Sequence, residues 1–216
     1  MLFLLPLPVP LRNMRFWPTN TPSFRASFDR YSMELHKVMI HLMKLIANNL
    51  GTIPEMLARV FEDGTQGIRM NCYSSCVKNS TLLAISPHSD STGLTLLRQV
   101  NEVEGLQIKR NEKWVPIKSI PTAFIINIGD MVEMYMHIMS NGEYKSIEHR
   151  AVVNPERERL SIAALHYENK NAKIGPLPDL VKTDKALYKT IPVEDFLNLK
   201  LSGKLDGKHL LNQMKI

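Results

Sequence analysis

The chain has 216 residues, 44% of them hydrophobic, and its 27 Lys and Arg against 21 Asp and Glu give a formal net charge of +6 and a sequence pI near 9.3. That length can bury the core of one compact domain, and the composition is ordinary for a soluble globular protein. The basic residues are spread along the chain, which excludes a nucleic-acid patch; no segment approaches the length of a membrane span; and two cysteines, Cys72 and Cys76, are too few for a disulfide framework and read as free thiols.

The chain opens on an apolar run, Met1-Leu-Phe-Leu-Leu, that Pro6, Pro8 and Pro10 interrupt before it reaches the length of a signal peptide core, and no basic residue precedes it. It reads as a buried strand or strap entering the domain. Ser23 or Ser27 can then cap a helix in which Tyr31, Leu35, Val38, Met39, Leu42, Leu45 and Ile46 recur at three-and-four spacing, ending near Asn49-Leu50-Gly51. His36 and His41 lie on that helix and are not taken as metal ligands. Ile53-Pro54-Glu55 opens a shorter helix through Met56, Val60 and Phe61, with proline at a tolerated first-turn position. There are no internal repeats, low-complexity tracts or interdomain linkers.

From Gly67 onward the pattern alternates. Ile68 to Tyr73 places Asn71 and Tyr73 on one face, and further strands are expected over Gly93–Val100, Leu106–Lys109, Trp114–Ile117 and Ala123–Gly129. Many short strands with Gly and Asn turns predict a mainly β fold with flanking helices, a double-sheet jelly roll (double-stranded β-helix), rather than a parallel α/β fold. His88 and Asp90 are two residues apart, so on an extended strand both project from one face. Together with His149 they supply two imidazoles and one carboxylate, the set that suits non-haem Fe(II) and leaves positions open for oxygen and a co-substrate. After a polar turn, a strand puts Arg159, Ser161, Ala163 and Leu165 on one face. An inward Arg beside a Ser needs an anionic partner, and a small dicarboxylate meets that need through a bidentate grip and one hydroxyl bond. His137 and His166 lack this downstream context and rank behind His149.

The order His88-x-Asp90, His149, Arg159-x-Ser161 resembles the plant 2-oxoglutarate- and Fe(II)-dependent dioxygenases, in the branch of flavonol synthase, anthocyanidin synthase and the alkaloid O-demethylases. Pro87-His-Ser-Asp-Ser-Thr-Gly-Leu-Thr-Leu-Leu, Gly105-Leu-Gln-Ile, Trp114-Val-Pro-Ile, Asn127-Ile-Gly-Asp-Met and Ser146-Ile-Glu-His-Arg-Ala-Val-Val-Asn carry the likeness, which covers nearly the whole chain. The resemblance implies His88, Asp90 and His149 as iron ligands, with Arg159, Ser161, Asn71 and Tyr73 at the 2-oxoglutarate. A Tyr hydroxyl can bond a carboxylate oxygen, although an ordinary half-buried Tyr73 would look the same. It also implies that the chain begins inside the family domain, without the additional N-terminal region that relatives carry.

Several positions depart from the family pattern. Ser74–Ser80 stands where relatives have a proline-rich turn, and losing those prolines frees the unfolded chain and loosens the lead into His88. Arg98 replaces an apolar residue and is expected at a sheet edge. Leu165 replaces a Phe common in flavonoid-acting relatives, which weakens a stacking platform for a flat aromatic substrate. Met134-Tyr-Met-His137 reads as an insertion of four residues. An even number preserves the alternation of a strand only if the extra length loops out.

The expected organisation is a helical N-terminal remnant packed on the barrel (1–64), a jelly-roll core (65–170), and a C-terminal loop and basic helix (171–216) whose apolar stripe packs on the barrel. The expected activity is oxidation of a small organic plant metabolite by hydroxylation, desaturation or O-demethylation, with Fe(II), 2-oxoglutarate and O2, by a cytoplasmic monomer that binds neither nucleic acid nor membrane. Two other classes keep the same residues: a truncated, catalytically inactive paralogue, and a non-enzymatic module that binds iron or 2-oxoglutarate.

Overall fold

The alternating stretches fold as short antiparallel strands, and the computed structural model describes residues 1–76, 82–140, 145–175, 189–195, 198 and 216. In chain order the elements are β1 (Leu2–Leu7), α1 (Pro22–Asn49), α2 (Pro54–Glu62), β2 (Gln66–Tyr73), β3 (Leu83–His88), β4 (Leu94–Gln99), β5 (Leu106–Arg110), β6 (Lys113–Pro116), β7 (Ile125–Ile128), α3 (Asp130–Ser140), β8 (His149–Val152) and β9 (Arg159–His166), followed by a two-residue pair, β10 (Lys173–Ile174) and β11 (Ile191–Pro192). A five-stranded sheet runs β1-β2-β9-β4-β7 and a four-stranded sheet β3-β8-β5-β6. This is the jelly roll that the turn-rich alternation predicts. Most of the predicted tail, including Tyr188, Phe196 and Leu197, lies outside the described residues, as do residues 77–81 of the loop before His88.

Helix α1 starts with Pro22 at its first turn after Thr21, upstream of the two serines named as caps. It ends in a Schellman motif, with Thr52 N–H on Ala47 O and Gly51 N–H on Asn48 O; Gly51 takes φ 72°, a left-handed value that costs glycine nothing. Its buried stripe is Phe28, Ser32, Leu35, Met39, Met43 and Ala47. Val38 and Leu45, expected in that stripe, are 43% and 49% exposed; Leu35 lies at one edge of the buried arc, and Val38 and Leu45 fall beyond that edge. The stripe joins Leu57, Ala58 and Phe61 of α2 and one face of the large sheet, Ile68, Leu94, Leu96 and Ala164. Each Leu, Ile, Met or Phe side chain so taken from water contributes about 1.5–3 kcal/mol.

Beneath α1 lies a polar bridge. The Ser32 hydroxyl donates to Gln66 Oε1 at 2.6 Å, and Gln66 Nε2 lies 3.1 Å from Ser32 O and 2.9 Å from His166 Nε2. An amide nitrogen only donates, so His166 Nε2 is the acceptor and its ring is neutral. His36, whose Nε2 lies 3.1 Å from Glu62 O, has its ring centroid 6.1 Å from that of His166. It therefore sits on the helical side of the sheet, away from the predicted metal ligands.

Two expectations about charge and length need correction. Arg98 belongs to β4, an interior strand between β9 and β7, not to a sheet edge. It lies past the end of the β7 ladder, where its Nη1 donates to Ala123 O at 3.3 Å. The apparent insertion Met134–His137 does not loop out from a strand; it is wound into α3. The His137 side chain lies outside those described. Cys72 and Cys76 are both free. No helix among the described residues is long and apolar enough to cross a membrane.

Burial, reinforced by repulsion from His36, pushes His166 down from 6.5 to about 3. The folded state therefore binds fewer protons than the unfolded one, so stability is complete above about pH 6.5 and is lost as pH falls towards 3. The urea midpoint should fall across that window, with this residue contributing up to about 1.4 kcal/mol per pH unit. The slope should flatten in His166→Gln; an unchanged slope would mean that the ring is not held neutral.

Candidate metal centre

His88 ends β3 and His149 begins β8, and the two residues face each other across the antiparallel ladder. That pairing brings together residues distant in sequence and sets their ring centroids 4.4 Å apart. Asp90 lies just past the end of β3 rather than on it, yet its carboxylate still turns to the same side. Its Oδ1 is 3.7 Å from the Nε2 of each histidine, and the three ligand atoms lie within 4.8 Å of one another. The loop is pinned because Asp130 N–H donates to Asp90 O at 2.8 Å.

The imidazoles are aimed from behind. His88 Nδ1 lies 2.7 Å from Ser86 O and His149 Nδ1 lies 3.1 Å from Ile147 O. A carbonyl only accepts, so Nδ1 carries a proton on each ring and Nε2 is turned to Asp90. Asn127 Nδ2 approaches Asp90 Oδ2 at 3.5 Å, leaving Oδ1 for the centre. Two imidazole nitrogens and one carboxylate on one triangular face fit Fe(II) with positions left over.

A second group of predicted residues lines the same open cavity. In the ladder Tyr73 pairs with Arg159 and Asn71 with Ser161, so these four form two alternate rungs, either side of Cys72–Leu160, on the inner face of the large sheet. Arg159 and Ser161 are each 2% exposed. Arg159 Nη2 donates to Gln99 Oε1 at 3.3 Å, and its Cζ lies 5.3 Å from the Tyr73 ring centroid. Arg159 Nε and Ser161 Oγ are buried with no protein partner. Burial lowers the Arg159 pKa from its ordinary value, and the Tyr73 hydroxyl opposes that shift. No ion pair to this guanidinium occurs among the described residues. A buried cation beside an idle hydroxyl is a site prepared for an anion.

The inner faces thus collect all seven predicted site residues. Sequence reasoning passed over three others. Asn127 stood in a quoted motif without a role. Gln99 alternates with Thr95 and Leu97, a pattern that places it on the inner face opposite Ser161. Gly105 makes room for Arg159: a Cβ there would stand 2.7 Å from Arg159 Cδ and 2.8 Å from Val152 O.

Fold and triad together define a double-stranded β-helix with a two-histidine, one-carboxylate cluster of the kind that suits a non-haem metal. Residues 64–166 match the family model described as 2OG-Fe(II) oxygenase superfamily. That matched segment, just under half of the chain, holds His88, Asp90 and His149. The chain is 55% identical to S-norcoclaurine synthase 1 of Coptis japonica over 99% of this chain and 59% of that protein, and 42% identical to codeine O-demethylase of Papaver somniferum over 99% and 59%. A crystal structure of JOX2 in complex with 2OG, Fe and JA superposes with a TM-score of 0.82 at 33% identity, covering 99% of this chain and 63% of that one. The chain therefore spans about three fifths of the length of the curated relatives it matches.

Gly105→Ala tests the packing behind the cationic wall. With carbonyl and side chain both in the way, the substitution should cost about 1–3 kcal/mol by urea denaturation. Its crystal structure should show Arg159 displaced; an unmoved Arg159 would mean that the loop, not the guanidinium, gives way.

Proposed function

We propose that this chain is the catalytic core of an Fe(II)- and 2-oxoglutarate-dependent dioxygenase that oxidises a small organic molecule of plant specialised metabolism. The observation that carries the reading is the cavity itself: three converging ligand atoms line one space with Arg159 and Ser161, whose Nε and Oγ have no hydrogen-bond partner. His88, Asp90 and His149 would hold Fe(II). Arg159 and Ser161, with Asn71 and Tyr73, would hold the far carboxylate of 2-oxoglutarate.

When iron, 2-oxoglutarate and O2 are bound, the chemistry they supply is oxidative decarboxylation to succinate and CO2 coupled to oxidation of a substrate C–H bond. The protein's part is positioning and shielding. Each imidazole keeps its Nδ1 proton on a backbone carbonyl, which holds the ring with Nε2 turned to the place a metal would take. Arg159 brings a fixed positive charge to a place with little water, where a carboxylate gains most from it. Ile85, Leu97, Leu106 and Leu165 line the remaining wall and keep the reacting space apolar.

Arg69 also lines the cavity, with its Nε 2.9 Å from Met1 Sδ, a weak acceptor. The wall thus suits an apolar substrate bearing an acceptor or anionic group. Plant relatives named as O-demethylases support O-demethylation among the possible outcomes, beside hydroxylation and desaturation. The enzyme works as a cytoplasmic monomer in this reading, consistent with its free thiols.

Anaerobic titration of the purified chain with Fe(II) and then 2-oxoglutarate should produce a visible charge-transfer band. The band should be absent in His149→Ala, and oxygen with a panel of plant phenolics and alkaloids should then yield succinate. A folded wild-type chain that gives no band would leave a family member without the activity.

A further inference from the structure

Arg159 is held from two directions by one short segment. On the backbone side, Asn101 Nδ2 donates to Glu158 O at 2.9 Å and Asn101 Oδ1 accepts from Leu160 N–H at 3.0 Å. One side-chain amide thus occupies the backbone groups on both flanks of Arg159 and extends the β4–β9 ladder past the end of β4, next to the Val100 N–H bond to Leu160 O at 2.9 Å. On the side-chain side, Gln99 is 4% exposed, and its Nε2 is anchored on Val103 O at 2.5 Å. Because a carbonyl only accepts, this anchor fixes which end of the amide is which, and Oε1 is left facing Arg159 Nη2 at 3.3 Å. The chain then returns over the guanidinium stem at Gly105, whose carbonyl accepts from Val152 N–H at 2.8 Å.

Gln99 is neutral. It can hold the guanidinium without cancelling its charge, whereas an acid at the same place would compete with an incoming carboxylate. The one amide satisfies part of the fork and leaves Nε idle beside the idle Ser161 hydroxyl, which is paired across the ladder with Gln99 itself.

We propose that Gln99, with Asn101 behind it, is the positioning residue that aims Arg159 at the far carboxylate of the co-substrate. This rests on the reading that a dicarboxylate docks at Arg159. Gln99 touches neither metal nor substrate; it acts through the guanidinium.

The test compares two 2-oxo acids in the anaerobic titration: 2-oxoglutarate, and pyruvate, which offers the same keto-acid end with no far carboxylate. Gln99→Met keeps the side-chain volume and removes both hydrogen-bonding groups. It should weaken 2-oxoglutarate binding about tenfold or more, leaving Fe(II) and pyruvate binding at wild-type values. Gln99→Glu should weaken 2-oxoglutarate at least as much, by placing a rival anion on the fork. Asn101→Ala should act in the same direction. Equal weakening of both 2-oxo acids, or wild-type 2-oxoglutarate binding by Gln99→Met, would overturn the proposal. If the wild-type chain binds neither acid, the dicarboxylate reading fails by itself. Crystal structures of wild type and Gln99→Met then decide the positioning role: a swung guanidinium upholds it and an unmoved one overturns it.

Discussion

Strand β9 lies between β2 and β4 and is covered on both faces, but the two faces carry opposite chemistry. Ile162, Ala164 and His166 face the helices, while Arg159, Ser161, Ala163 and Leu165 face the cavity. The cavity depends on that period-two division. A slip of one residue in pairing would bury Arg159 in the apolar layer under α1 and turn Ile162 towards the metal ligands. Full ladders on both sides fix the register, eight rungs to β2 and six to β4. The apolar layer on one face thus sets the aim of the charged residues on the other.

The five core site residues were legible because each is a residue type whose burial needs a reason, set at a spacing that strand geometry can use. Alternation put Asn71 and Tyr73 on one face, and only the family resemblance gave them a role. The supporting residues were harder to see. Gln99 and Asn101 act through amides at ordinary polar positions, and only the return of the chain over Arg159 gives those amides partners. Helix α3 was misread for a different reason. Its polar residues Asp130, Glu133, His137 and Ser140 recur at helical three-and-four spacing, but setting Met134–His137 apart as an insertion into a strand broke that period in two. Val38 and Leu45 failed in the opposite sense: apolar residues at plausible spacing lie outside the arc that the sheet covers.

A guanidinium at 2% exposure with no counter-ion among the described residues works against folding. The fold tolerates it by spreading the cost over the Gln99 amide, the Tyr73 ring and a glycine that lets the chain close over the stem. These neutral partners share one property. They stabilise the cation without discharging it, so the remaining demand falls on whatever anion enters.

Helix α3 begins beside Asp90, through the Asp130 N–H bond to its carbonyl. On the return side, Glu133 Oε2 accepts from Ser146 N–H at 3.0 Å, three residues before His149. Entry and exit of the connection are both fastened to the first turn of the helix. Whatever lies between those fastenings can lengthen or shorten by whole turns without moving either ligand. The link between the second and third metal ligands is therefore a place where a lineage can absorb insertions, and one that protein engineers can extend while the chemistry stays where it is.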